Sequence, residues 1–140
     1  MLKKIIFHDH PVYSNLAHTL LRIFYGIALI NHGQDKLRNF SEYSADFPDP
    51  MGVGSDLSLG LVVCSEFFGG LLILLGLFTR LASASVMVTF AIAYFIFHHA
   101  DPFEAKELAL FYFVISCYFL LSGSGKISLD SKFFDVRNEN

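Results

Sequence analysis

Four long apolar runs, separated by short polar clusters, set the pattern of this chain; they cover about residues 16–37, 58–78, 81–99 and 107–122. The third run has no formal charge, the second carries only Glu66, and the fourth is uncharged from Leu108 onward. A helix that crosses a membrane needs about 20 mainly apolar residues at about 1.5 Å each. None of the four shows the wide polar stripe that a helix of a water-soluble bundle turns to solvent. The pattern predicts an all-α protein: four transmembrane helices in an antiparallel, up-down bundle.

The polar clusters set the organisation. Residues 1–14 form a polar leader. They begin like a signal peptide, but His8-Asp9-His10-Pro11 interrupts before an apolar core of sufficient length. Residues 15–125 form the membrane domain, and residues 126–140 an amphipathic and polar tail that includes Phe133 and Phe134. The first connection, residues 38–57, is long and acidic, with Glu42, Asp46, Asp49 and Asp56 among prolines and glycines; loops of this length often carry function. Thr79-Arg80 reads as a tight turn between helices two and three. Asp101-Pro102 breaks the third helix, and Pro102 fits the first turn of the fourth.

Four passes put both termini on one side, with Lys3, Lys4, Arg80, Lys126, Lys132 and Arg137; only Lys36, Arg38 and Lys106 lie opposite. Lys and Arg accumulate in cytoplasmic loops, so both termini are expected in the cytoplasm.

Composition narrows the class further. The 140 residues are 54% hydrophobic and 16% charged, below the roughly 25% charged residues of soluble domains. A net charge of -3 leaves no basic field for nucleic acid. Cys64 and Cys117 both lie in apolar runs, without CxxC spacing, and read as buried small hydrophobes. No metal-ligand spacing is present, so no metal site is expected.

Ionisable residues inside membrane spans are costly and usually face the bundle interior. Here they are Arg22, His32, Lys36, Glu66, His98 and His99. At about 100° per residue, Arg22, Tyr25, His32, Gly33 and Lys36 share a broad face of helix one. Glu66 shares a face with Gly69 and Gly70 on helix two. Gly26, Gly33, Gly69 and Gly70 are small enough to let helices approach closely. A column of Arg22, Glu66 and His32, with His98 or His99 at the outer mouth, is one expectation. Glu66, His32 and Arg22 would then be the catalytic candidates, and Lys36, His98, His99 and Tyr25 the substrate-binding ones. The bland alternative is a buried Arg22–Glu66 pair that only fixes helix register.

Several motifs together resemble the DoxX family of small four-helix membrane proteins. They are Leu20-Leu-Arg-Ile, Asn31-His-Gly-Gln-Asp-Lys-Leu, the block from Glu66-Phe-Phe-Gly-Gly to Gly76-Leu-Phe-Thr-Arg, and the closing Gly123-Ser-Gly-Lys-Ile-Ser-Leu-Asp. The resemblance spans about residues 16–130. Its pattern falls on Arg22, His32, Gly33, Lys36, Glu66, Gly69, Gly70, Thr79 and Arg80. It implies a protein of the bacterial cytoplasmic (inner) membrane, linked to quinone-dependent oxidoreductase systems.

A carboxylate, an imidazole and a cation in a low-dielectric site can hold a quinone head group and exchange its protons. The leading expectation is therefore an integral membrane subunit of a redox system that engages a quinone, a quinol or a sulfur-compound donor. If it is an enzyme, it is a subunit of a quinone-linked oxidoreductase, with the lipid bilayer and a redox partner subunit around it. The competing classes are a non-catalytic scaffold that assembles another protein, and a transporter of protons or small solutes working as a homo-oligomer.

Overall fold

A computed structural model describes residues 13–134. Among them there are helices and connections and no strands. Helix α1 spans Ser14–Arg38 and the short α2 spans Phe40–Tyr43. Three helices follow that are long and apolar enough to cross a membrane: α3, Ser55–Leu75; α4, Thr79–Phe97; and α5, Phe103–Ser122. The short α6, Leu129–Phe133, closes the described chain. At 25 residues α1 is long enough as well, but it carries His18, Arg22, His32, Asp35, Lys36 and Arg38 and is too polar to count with the other three.

Helix ends depart from the sequence expectation for local reasons. The tight turn lies at residues 76–78 and not at Thr79-Arg80. Gly76 takes the left-handed conformation (φ 67°) that terminates helices and favours glycine. Phe78 is also left-handed (φ 47°), and Thr79 already opens α4. Pro102 precedes the first turn of α5 and does not sit within it; its ψ of 156° is extended. Most of the polar leader (residues 1–12) and residues 135–140 of the tail lie outside the described residues, as do Lys3, Lys4 and Arg137.

The helices pack as two antiparallel pairs, α1 on α3 and α4 on α5, with α3 also against α4. Glycines set the first pair. A Cβ on Gly26 would stand 2.8 Å from Leu74, one on Gly70 2.9 Å from Leu29, and one on Gly33 would overlap the Phe67 backbone. Gly69 points elsewhere, toward Val86 on α4 at 3.2 Å. Tyr25, Leu29, Ile73, Val86, Tyr112 and Phe119 fill the centre.

The distribution of polarity is inverted relative to a soluble bundle. Ser65, Ser83, Thr79 and Ser116 are buried, whereas Leu61, Leu81, Val88, Val114 and Leu121 are exposed. Thr89 donates to Ser65 (2.8 Å), and Ser116 donates to the Tyr112 carbonyl (2.7 Å). Small polar residues inside and large apolar residues outside suit a bundle whose solvent is lipid.

Candidate functional site

The conformation of α3 changes where Glu66 sits. Residues Cys64–Phe68 form a π turn, with the Gly69 amide bonded to the Cys64 carbonyl. Such turns insert one extra residue into a helix and recur at functional sites. Glu66 is only 4% exposed, and its Oε2 lies 2.6 Å from the Nζ of Lys36. A buried carboxylate without a partner is strongly unfavourable, and Lys36 removes that penalty. The lysine comes from the last turn of α1 and stays partly exposed, so it links the buried acid to the surface.

Lys36 opens onto a cleft of about 800 Å³. Ala28, Asn31 and His32 of α1 and Tyr112 of α5 line one side; Tyr43, Phe47 and Pro48 from the first connection line the other. The His32 ring stands edge-on to Tyr112, with centroids 5.2 Å apart. The rim is acidic, with Asp35, Glu42 and Asp46. Asp35 accepts hydrogen bonds from Tyr43 (3.0 Å) and Asn39 (3.1 Å), which ties the connection to α1. The hydrogen bond to the Asp35 carboxylate raises the Tyr43 hydroxyl above its ordinary pKa, because ionisation would set two negative charges side by side.

Asp49 fixes the rest of the loop. Its carboxylate accepts from the Gly54 amide (2.7 Å), the Val53 amide (3.0 Å) and the Ser58 hydroxyl (2.8 Å). These donors, the Gly54 amide first, hold its pKa below the usual carboxylate value. An acid read from sequence only as part of an acidic loop thus anchors that loop to the start of α3.

The structure does not form the Arg22–Glu66–His32 column. Arg22 donates to the carbonyls of Ile73 (2.9 Å), Leu74 (2.8 Å) and Ile127 (2.7 Å). The last carbonyls of a helix lack partners within it, and Arg22 supplies them at the end of α3. Antiparallel packing sets Gly26 beside Leu74, Gly70 beside Ile30 and Gly33 beside Phe67, which puts Glu66 level with about residue 34. Twelve residues, about 18 Å of helix, separate that level from Arg22. Lys36 is the cation within reach.

The other candidates also separate. His98 pairs with Asp101 (2.6 Å) and His99 bonds the Ile96 carbonyl (3.0 Å); neither lines the cleft, so neither forms its mouth. Tyr25 is buried, and its hydroxyl is engaged by the Tyr112 carbonyl (2.8 Å) and Ser116 (2.6 Å), which leaves it structural. Asn31, Tyr43 and Tyr112 line the cleft without having been singled out. The i, i+4 spacing of Asn31 with Asp35 and of His32 with Lys36 was the available signal. Among the described residues no three His, Cys, Asp or Glu side chains gather as a metal site.

A helical membrane bundle with a buried acid–lysine pair behind a polar cleft is the class this geometry defines. The sequence profile of the DoxX family matches residues 17–99, and the chain belongs to that family. It is 36% identical over 121 residues to an uncharacterized protein of Haemophilus influenzae, covering 81% of this chain and 88% of that protein. A second uncharacterized protein of the same organism is 25% identical over 126 residues, covering 84% and 83%. No solved structure matches the chain.

Proposed function

We propose that this protein is a membrane subunit of a redox system and holds a quinone or quinol head group in the cleft above the Lys36–Glu66 pair. One observation carries the reading: a partly aromatic cleft combines His32 and Asn31 in its lining with a buried acid behind its lysine. Tyr112, Phe47 and Pro48 offer apolar surface to a ring. Asn31 and Lys36 offer donors to its oxygens, and His32 sets an imidazole beside them. Oxidation of a quinol releases two protons and two electrons. His32 and the Lys36–Glu66 pair would accept the protons, and the electrons would pass to a redox centre on a partner subunit.

The charge of the rim favours a quinol over a sulfur oxyanion. Asp35, Glu42 and Asp46 surround a single lysine that Glu66 already neutralises, and like charges repel an entering anion.

The topology belongs to the same proposal. Helix α1 would be the fourth span, its Arg22 and Lys36 satisfied by α3 and not by lipid, and both termini would lie in the cytoplasm of a bacterial inner membrane. The 25-residue length of α1 and its glycine-mediated packing on α3 support this.

The test is binding of a short-tailed benzoquinol to the full chain in nanodiscs, read as a rise in melting temperature. The expected result is saturable stabilisation that H32A weakens about tenfold, the order of one lost hydrogen bond. No stabilisation by quinol or quinone, or stabilisation by thiosulfate alone, overturns the reading.

A further inference from the structure

A second cleft, of about 630 Å³, lies at the opposite end of the bundle. The start of α1, the first turn of α4, the end of α5 and the chain leading into α6 enclose it. Its polar lining includes Arg80, Lys126, Ser122, Ser124 and Ser131. Among the described residues no carboxylate pairs with either cation. Arg80 makes one hydrogen bond, to the Leu120 carbonyl at 3.2 Å, which uses one donor of a fork built for phosphate-like oxygens. The acid in the cleft is already engaged: Asp130 accepts from the amides of Phe78 (2.7 Å) and Thr79 (3.1 Å) at the start of α4. Its charge faces the positive end of a helix, and the cleft holds two cations against this one tethered carboxylate.

The surroundings are apolar. Leu16, Leu81, Leu121 and Ile127 are all more than half exposed next to this end of the bundle. Phe134 reaches the cleft itself, and Phe78 packs against it with ring centroids 5.6 Å apart. We infer that this cleft binds the phosphodiester head group of an anionic phospholipid, with Arg80 and Lys126 on the phosphate, serine hydroxyls on the remaining oxygens, and the acyl chains along the exposed leucines. Basic pockets between membrane helices recognise anionic lipids through this combination of charge and apolar flank. The proposal does not depend on what the other cleft binds.

The test is native mass spectrometry of the full chain released from nanodiscs that contain equal amounts of phosphatidylglycerol and phosphatidylcholine. The wild type is expected to retain one phosphatidylglycerol in preference to phosphatidylcholine. The double variant R80Q/K126Q is expected to lose that preference by roughly thirtyfold, at about 1 kcal/mol for each of the two basic residues near an anionic surface. Because Arg80 also supports the end of α5, K126Q alone serves as the second variant, with a smaller loss at unchanged melting temperature. Equal retention of both lipids by the wild type, or an unchanged preference in both variants, overturns the inference. Displacement of the retained lipid by millimolar inorganic phosphate would reassign the cleft to a free phosphate and overturn the lipid assignment.

Discussion

Lys36 and Glu66 are unequal partners, and their substitution should show it. Glu66 is sealed in the bundle, whereas Lys36 can carry its ammonium toward water on a flexible stem. K36M leaves an uncompensated buried carboxylate and is expected to cost about 3–5 kcal/mol, enough to remove folded protein from the membrane. E66Q leaves a lysine that can turn outward, and is expected to cost about 1–2 kcal/mol with protein levels near normal. The double variant K36M/E66Q should recover most of what K36M loses. Melting temperature in nanodiscs and the level of membrane-inserted protein decide between these outcomes. If E66Q is as damaging as K36M, the pair is not arranged as described. The sequence singled out Glu66, His32 and Lys36, because charge in an apolar run stands out by its cost. It did not show which cation meets the acid. That choice depends on the register between α1 and α3, and apolar periodicity within each helix carries no information about register.

Register is fixed at the scale of the helix pair, by glycines that allow backbone contact. A methyl group on Gly33 or Gly26 meets main-chain atoms of α3 that cannot turn aside. G33A and G26A are therefore expected to destabilise by about 1–3 kcal/mol. Gly60 is the control: a Cβ there meets nothing within 4 Å, so G60A should be neutral or stabilise α3 by up to about 1 kcal/mol. Thermal unfolding of the three variants tests the register directly, and equal behaviour would refute it.

The first connection responds to pH in a defined direction. Asp49 has a depressed pKa when folded, so its hold on the loop is complete above the ordinary carboxylate range and is lost as pH falls through the depressed value. Relative to their intrinsic exchange rates, the Val53 and Gly54 amides should be protected at neutral pH and lose that protection once the pH has fallen well below the ordinary carboxylate range, and in D49N they should lack it throughout. The presence of the loop and its acidity were legible in the sequence. Its fold was not, because an aspartate that knots a turn has the same composition as one that faces water.

For the whole molecule the decisive question is whether α1 crosses the membrane. If α3, α4 and α5, each long and apolar enough, all cross, Asp46 and Lys132 lie on opposite faces, since three spans separate them. The segment before α1 distinguishes the alternatives. If α1 is a fourth span, Tyr13 lies with Lys132; if α1 rests on the surface, Tyr13 lies with Asp46. All three residues are exposed, so each can accept a labelled cysteine. In a C64S/C117S background, D46C should react with a membrane-impermeant maleimide on intact spheroplasts, while Y13C and K132C react only after lysis. Labelling of Y13C together with D46C would remove α1 from the set of spans. The energetic argument favours crossing: Arg22 and Lys36 both bond to α3, so α1 presents few unsatisfied charges to lipid.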